Sequence, residues 1–178
     1  MPDTSLQYDE IIGGCKAVFI NKVKDYGTSW RVLRMISIAD QIFIKAQRIR
    51  TIQELKAQKI ADDINGEFAG IINYGIIALI QMHLGKAAVE DLSEAEVNVL
   101  YDAQIAAVKN LMLLKNHDYG EAWRDMSEEG LVDLILVKLL RIRQIIANEG
   151  KTLISEGIDA NIHDIINYAV FALILRKG

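Results

Sequence analysis

The sequence predicts an all-α protein made of two tandem helical repeats that pack as a pseudo-twofold helix bundle. The single proline of the 178 residues stands at position 2, so no later residue lacks the backbone donor that a helix uses. Apolar residues recur at three- and four-residue spacing, as Ile38, Ile42 and Ile49 do, and no stretch alternates in the manner of a half-buried strand. The third observation is that the chain is duplicated.

Nearly the whole sequence occurs twice. Three motifs recur in the same order, the first two at an offset of 93 residues and the third at 94: Asp-Tyr-Gly-x2-Trp at 25–30 and 118–123, Asp-x4-Lys-x2-Arg-Ile-Arg at 40–50 and 133–143, and Ile-Ile-Asn-Tyr at 71–74 and 165–168. This period is much longer than the roughly 20–50 residues of solenoid repeats. The chain is therefore a duplicated domain.

The first repeat, residues 1–85, is predicted to contain three helices. They run from about Leu6 to Lys22, Val32 to Lys59 and Glu67 to Leu84. Between the first two lies a loop from Lys24 to Trp30, in which Gly27 can adopt a positive φ that other residues resist.

The second repeat, residues 93–178, follows a connector at 86–92. Its helices run from about Ser93 to Lys115, Glu128 to Asn148 and Ala160 to Arg176, with the loop at His117 to Trp123. Ser93 and Glu96 have capping-box spacing, and Ser127 and Asp159 are the predicted N-caps of the later helices. Three amphipathic helices leave an apolar face open, so the halves are expected to share one core, as a dimer fused into one chain would.

Composition limits the class of partner. The formal net charge of −4 and the pI near 5.4 argue against duplex nucleic acid as the main ligand, whereas a small anion needs only a local basic pocket. The apolar stretches at 70–82 and 165–175 are too short to cross a bilayer, and the N-terminus has no signal-peptide pattern. We therefore expect a cytoplasmic protein without a membrane partner.

The repeated charges are the first candidate site. At helical spacing Lys138 and Arg141 can converge on one anion, such as a phosphate, with Asp133 two turns earlier. The copies of these residues in the first repeat are Lys45, Arg48 and Asp40. The alternative is a charged helix edge whose ion pairs contribute about 0–1 kcal/mol each.

A second candidate is Asp164-x2-Asn167-Tyr168, whose oxygen ligands share one helix face and suit Mg²⁺. Asn167 could instead be a buried amide that joins two helices. The first repeat keeps Asn73 but has Gly70 in place of Asp164, with Glu67 one turn earlier as a partial substitute. We therefore expect the metal in the second repeat.

The Asp-Tyr-Gly segments are the third candidate. Their aspartates, Asp25 and Asp118, could form turns. Trp30 and Trp123 could be buried at a loop–helix junction or stack on a nucleobase. The arginines that follow them, Arg31 and Arg124, suit either a phosphate or a helix C-terminus.

Together and in this order, the three motifs resemble the nucleotide modification associated domain 1 family of bacteria and phages, over both halves of the chain. More distantly, the helical layout resembles the all-α nucleoside triphosphate pyrophosphatases of the MazG and dimeric dUTPase group. Their Glu-Glu-x2-Glu motif is only approximated, by Glu129 and Asp133 followed by Asp164.

These resemblances imply a nucleotide-binding protein, with Mg²⁺-dependent hydrolysis of a nucleoside triphosphate to monophosphate and pyrophosphate as the leading hypothesis. Asp133 and Asp164 would be catalytic, and the metal ligands would be Asp133, Asp164, Glu129 and Asn167. The expected nucleotide-binding residues are Asp118, Tyr119, Trp123, Arg124, Lys138, Arg141, Asp25, Trp30, Arg31, Asp40, Lys45, Arg48 and Asn73. The alternatives are a non-catalytic nucleotide-binding module and a structural domain whose repeated charges keep the halves in register. A homodimer is also expected.

Overall fold

The computed structural model describes residues 2–61, 63–85, 92–152 and 156–178, and all regular structure within them is helical. The main helices are α1 (Thr4–Tyr26), α2 (Met35–Leu55), α3 (Ile64–Leu84), α4 (Glu94–Tyr119), α5 (Glu128–Ala147) and α6 (Ile158–Lys177). Short 3-10 helices, Ser29–Val32 and Ala122–Asp125, precede α2 and α5. The predicted all-α class is confirmed. The predicted connector, apart from Leu92, lies outside the described residues.

Two of the predicted helix starts are confirmed by their hydrogen bonds. Ser93 Oγ accepts from the backbone N–H of Glu96, and the Glu96 carboxylate accepts from that of Ser93, which is a complete capping box. Ser127 Oγ accepts from the N–H of Gly130 at 3.0 Å. The prediction for α6 is wrong, because Gly157 is its N-cap and Asp159 lies inside the first turn, where a carboxylate still suits the helix dipole.

The Asp-Tyr pairs of the repeated motif belong to helices and not to loops. α1 and α4 continue through Tyr26 and Tyr119, and each stops at a glycine with positive φ, Gly27 at 62° and Gly120 at 61°. The aspartates therefore stand in the last helical turn, because it is the positive-φ glycine two residues later, and not the aspartate, that ends each helix. The predicted loops begin three residues too early.

The second helix is shorter than predicted at both ends. At its N-terminal side the chain forms the 3-10 helix Ser29–Val32, whose turn is held by the Gln81 side-chain amide. That amide donates to the carbonyls of Trp30, Arg31 and Leu33 at 3.0–3.3 Å. At the C-terminal side Lys56 adopts φ 53° and closes the helix. The first of these causes is a contact between distant residues, which helical spacing does not reveal.

Each helix of the first repeat packs antiparallel to its copy in the second. The start of α3 meets the end of α6, where the Arg176 guanidinium donates to Asn65. Further along the same interface Gly75 allows Ile166 to approach its backbone closely. α2 and α5 are joined in the same sense by an ion pair at each end.

Equivalent residues exchange partners across the two repeats. Lys16 pairs with Asp102 at 2.8 Å, and the copies of these residues, Lys109 and Asp9, pair at 2.7 Å. The α2–α5 ion pairs show the same exchange, with Asp40 bound to Arg143 and Arg50 to Asp133. Reciprocal contacts of this kind characterise isologous interfaces. They support our interpretation of a pseudo-twofold bundle.

The buried apolar residues of both repeats form one continuous core. α3 and α6 contribute most densely to it, with Ile71, Ile72 and Ile76 on one side and Ile165, Ile166 and Val170 on the other. By length and composition alone both helices could also cross a membrane, and 50% and 67% of their most apolar windows are buried within the chain. Core helices of a bundle pass the same test.

Candidate functional site

A cavity of about 570 Å³ opens in the first repeat between α1, the 3-10 helix Ser29–Val32, α2 and α3. Its apolar wall includes side chains of α1, the 3-10 helix, the residue that follows it, and α3: Phe19, Val23, Trp30, Leu33, Tyr74 and Ile77. Its polar lining includes Lys22, Lys45 and Asn73. The cavity is therefore an aromatic and aliphatic pocket with two ammonium groups beside it, in the size range of small-molecule sites.

Lys45 reaches the cavity because the backbone of α3 is bare at Gly70. A Cβ atom at Gly70 would lie 2.8 Å from both Cδ and Cε of Lys45, so any side chain there would displace the lysine. The Lys45 ammonium lies 5.9 Å from the centroid of the Tyr74 ring. Lys22, one helix away on α1, is exposed. The glycine thus makes the room through which the Lys45 side chain reaches the cavity.

The convergence predicted for Lys138 and Arg141 is not observed, because Lys138 pairs with Asp164 and Arg141 is exposed. Their copies on α2 do converge on one anion, and that anion is a carboxylate of the protein itself. Lys45 and Arg48 contact the Glu67 carboxylate at 3.8 and 3.2 Å. The Glu67 side chain is only 13% exposed. Glu67 therefore neutralises part of the positive charge beside the cavity.

Asn73 lines the cavity, but hydrogen bonds to the framework occupy its amide. The Tyr101 hydroxyl donates to Asn73 Oδ1 at 2.9 Å, and Asn73 Nδ2 donates to the Cys15 carbonyl at 3.0 Å. Its copy Asn167 accepts from the Tyr8 hydroxyl at 2.8 Å and donates to the Val108 carbonyl. Both asparagines thus join helices, which was the alternative interpretation of Asn167.

In the second repeat the place of the cavity contains paired side chains. Asp164 is buried and accepts hydrogen bonds from Lys115 at 2.8 Å and Lys138 at 2.9 Å. Burial alone would raise the pKa of the Asp164 carboxyl, but the hydrogen bonds and charges of the two lysines outweigh burial and hold it below its ordinary value. Asp164 is therefore a charged carboxylate with both oxygens engaged by ammonium groups.

The tryptophans also differ between the repeats. Trp123 is buried and stacks on Phe171, with ring centroids 4.2 Å apart and planes 5° from parallel. Trp30 is partly exposed to the cavity and meets Phe19 in a tilted arrangement at 6.0 Å. Each indole N–H is buried without an acceptor among the described residues. Burial at the junction is the observed role of Trp123, whereas Trp30 lines the cavity.

The arginines beside the tryptophans hold the framework together. Arg31 is buried and donates to the Gln81 side chain. Arg124 lies 4.4 Å from the Trp123 ring and donates to Thr4, Gln7 and Glu121, which fixes the second motif against the start of α1. Both guanidinium groups are thus engaged by side chains of the protein, and neither arginine lines the cavity.

The acids of the predicted metal site have separate partners. The Asp133 side chain is 60% exposed and pairs with Arg50, whereas Asp164 is held by lysines. Glu129 is exposed on the first turn of α5. Within the described parts of the chain, no three His, Cys, Asp or Glu side chains lie close enough together to hold a metal ion. The structure does not assemble the predicted ligand set, and magnesium stays a prediction from the sequence.

The remaining predicted residues lie at the surface. Asp25 and Asp118 are exposed, the latter 3.1 Å from His117, and Tyr119 is 73% exposed. Asp40 pairs with Arg143 of the other repeat, and Arg141 is exposed. Of the predicted nucleotide-binding set, the structure brings Trp30, Lys45 and Asn73 together at the cavity, with Arg48 behind Glu67.

Sequence reasoning missed two pairs of residues. Lys22 and Lys115 occupy equivalent positions 93 residues apart, and this repetition is a signal that could have identified them. Ile77 and Phe171 are equivalent positions with different residues. A difference of this kind has no evident meaning until the structure shows what fills the space.

Comparison with known proteins identifies the family. Neither the curated proteins nor the solved structures contain a match to this chain. The family model described as nucleotide modification associated domain 1 matches residues 22–82 and again residues 115–175, which together make up more than half of the chain. Each match contains one copy of all three repeated motifs. The chain therefore belongs to the nucleotide modification associated domain 1 family and contains two tandem copies of that domain.

Proposed function

We propose that this protein binds a nucleotide in the cavity of the first repeat. The observation that carries the proposal is the composition of that cavity, about 570 Å³ with Trp30 and Tyr74 in its wall and the ammonium groups of Lys22 and Lys45 beside it. Aromatic faces stack on nucleobases, and ammonium groups bind phosphate. The family's description, which refers to nucleotide modification, is consistent with this ligand class.

The two lysines have unequal roles in the proposed site. Lys45 is partly buried and already lies 3.8 Å from Glu67, so a phosphate would share it with that carboxylate. Lys22 is exposed and has no ion pair within the described residues. The free ammonium of Lys22 therefore supplies the less compensated positive charge, and its removal should weaken binding strongly.

Hydrolysis is a separate and further hypothesis. The carboxylate that contacts the cavity lysine Lys45 is Glu67, which is also bound to Arg48. Activation of water by this carboxylate or by a bound Mg²⁺ would require Glu67 to exchange those partners. The proposal is accordingly a binding function, to which a turnover assay can add catalysis.

The test uses the full chain and a panel of the common ribonucleoside and deoxyribonucleoside 5′-triphosphates and 5′-monophosphates, with and without Mg²⁺. Binding is measured by isothermal titration calorimetry and by the shift in melting temperature. We expect at least one member of the panel to bind and Lys22→Ala to weaken its binding about tenfold. If no member of the panel binds, the proposed function is wrong.

Lys24→Ala is the matched control, since Lys24 lies two residues further along α1, loses the same charge and does not line the cavity. Its ion-pair partner is Glu94, 3.8 Å away. Equal losses of affinity in Lys22→Ala and Lys24→Ala would show a general charge effect and reject this cavity as the site. Release of pyrophosphate from a triphosphate, followed by chromatography, would extend the function to hydrolysis.

A further inference from the structure

We infer that the second repeat is an occluded copy of the nucleotide site, in which the protein's own side chains take the places of the ligand. In this view the Asp164 carboxylate replaces the ligand's anionic group, and the Phe171 ring replaces its aromatic ring. The chain then has one open site, in the first repeat, and its ligand carries both an anion and a ring. This inference rests on the proposed function.

The anion position is defined by two lysines present in both repeats. In the second repeat, the ammonium groups of Lys115 on α4 and Lys138 on α5 lie 2.8 and 2.9 Å from the carboxylate oxygens of Asp164. Their copies in the first repeat are Lys22 and Lys45. In the first repeat both lysines line the cavity that Gly70 also lines, so the same two helix positions place lysines beside the third helix in each repeat.

What occupies that place differs between the repeats. The first repeat has Gly70 where the second has Asp164, so this position of α3 offers no carboxylate to Lys22 and Lys45. The aliphatic part of Lys45 lies across the bare backbone instead, within 2.8 Å of where a Cβ atom would be. An anion entering the cavity would find the lysines that a carboxylate occupies in the other repeat.

The position of the Phe171 ring in the second repeat also lacks a ring in the first repeat. Phe171 stacks on Trp123 almost in parallel, with ring centroids 4.2 Å apart. In the first repeat, Ile77 stands in the place of Phe171, and both Ile77 and Trp30 line the cavity. Because Ile77 is aliphatic, Trp30 has no stacked ring from α3 and meets only Phe19 of α1, in a tilted arrangement, among the described residues. A flat ring is what such a face binds best.

The anion position and the ring position have the same spacing in both repeats. Asp164 and Phe171 are seven residues apart on α6, as Gly70 and Ile77 are on α3, which corresponds to about 10 Å along a helix. A ligand that fills both places must therefore present its ring and its anion a comparable distance apart. Inorganic phosphate and free bases each satisfy only one place, whereas a nucleotide satisfies both.

The first experiment closes the open site. Gly70→Asp should place a carboxylate between Lys22 and Lys45, and Gly70→Asn is the neutral variant of the same size. Calorimetry uses the member of the nucleotide panel that binds the wild-type chain most tightly. Gly70→Asp should weaken binding at least about tenfold more than Gly70→Asn does, because a fixed negative charge opposes the incoming anion. Equal affinities of the two variants would overturn the inference.

The second experiment opens the closed site. The double variant Asp164→Gly with Phe171→Ile gives the second repeat the residues of the first, and the stoichiometry of the same nucleotide should rise from one to two per chain. Circular dichroism establishes whether this variant is folded. A folded variant that still binds one nucleotide would overturn the inference, and if the variant does not fold, the comparison at Gly70 decides alone.

Two further outcomes separate the competing explanations. A wild-type chain that binds no nucleotide of the panel refutes the proposed function, and the inference with it. A wild-type chain that binds nucleotide, and that also binds Mg²⁺ alone through a site lost in Asp164→Asn, overturns only the inference. In that case Asp164 would be a metal ligand and not a substitute for a phosphate.

Discussion

At the scale of single residues, Asp164 has the most unusual environment in the described chain. Its side chain is 8% exposed and forms two ion pairs, to Lys115 and to the partly buried Lys138. A buried ion pair contributes little net stability relative to an apolar replacement, but loss of one partner leaves a costly unpaired charge. Replacement of Asp164 alone should therefore destabilise the fold even if the site has no ligand.

The first prediction concerns the dependence of stability on pH. Because the pKa of Asp164 is lowered by its lysine partners, its contribution to stability is complete above the unfolded value near pH 4 and is lost as the pH falls through the folded value. At pH 6.5, Asp164→Asn should reduce the free energy of unfolding in urea by about 2 kcal/mol, and this difference should shrink below about pH 4.

Asp102→Asn is the control for that measurement, because Asp102 also pairs with a lysine but its side chain is 63% exposed. It should change the free energy of unfolding by less than about 1 kcal/mol at either pH. A difference between wild type and Asp164→Asn that stays constant down to pH 3 would contradict the assigned ion pairs.

At the scale of helices, the repeated charge pattern serves two different purposes. Lys45 lines the cavity, and its copy Lys138 binds Asp164. The aspartates instead pair across the α2–α5 interface, Asp40 with Arg143 and Asp133 with Arg50. The aspartates therefore support the hypothesis that repeated charges keep the halves in register. The lysines support the hypothesis of an anion site.

The second prediction follows from the exposure of Asp133. Since its side chain is 60% exposed and lies 3.6 Å from Arg50, Asp133→Ala should cost less than about 1 kcal/mol of unfolding free energy. It should also leave nucleotide affinity unchanged, because Asp133 does not line the cavity. A double-mutant cycle with Arg50→Ala measures the coupling. A catalytic Asp133 would instead show as lost turnover in a chain of normal stability.

The third prediction concerns the close contact of α3 with α6. A Cβ atom on Gly75 would lie 2.6 Å from Cγ1 of Ile166, in the centre of the core. Gly75→Ala should therefore lower the free energy of unfolding by about 1–3 kcal/mol, despite the better helix propensity of alanine. Urea unfolding measures this change.

Gly14→Ala provides the matched control for Gly75→Ala. Gly14 lies inside α1, and no atom stands within 4 Å of where its Cβ atom would be. Here alanine should stabilise the protein by about 0.5–1 kcal/mol, because only the helix propensity changes. A stabilising Gly75→Ala would show that the α3–α6 contact is looser than the structure indicates.

At the scale of the whole molecule, neither repeat completes its own core. The faces of α2 and α3 that point away from α1 are buried against α5 and α6. The two buried asparagines also depend on the other repeat, since Tyr101 donates to Asn73 and Tyr8 to Asn167. Each half thus supplies part of the other's polar and apolar interior.

The fourth prediction is that residues 1–85 expressed alone do not form a stable monomer. Without the second repeat, the fragment would expose a large part of an apolar core, so it should either dimerise or unfold. Light scattering after size exclusion and circular dichroism measure both outcomes. Coexpression with residues 93–178 should restore a one-to-one complex. A monomeric fragment with a cooperative melting transition would contradict the shared core.

Much of the architecture could be predicted because it depends on local patterns. Apolar spacing and the lack of internal proline indicated helices, the duplication indicated equivalent halves, and Ser93 and Ser127 marked helix starts that the structure confirms. Helix ends were predicted less accurately. The end of α1 depends on where a glycine with positive φ stands, and the start of α2 depends on a distant glutamine, Gln81.

By itself the sequence determined the helical class, the tandem organisation, and which charges recur in both copies. Only the tertiary structure decided what each charge faces, because helical spacing gives the direction of a side chain around its own axis but not the identity of the neighbouring helix. The equivalent positions Gly70 and Asp164 show this difference most clearly. In the sequence these two residues are only a mismatch between the repeats. In the structure, Gly70 lines an open cavity, whereas Asp164 is bound by two lysines.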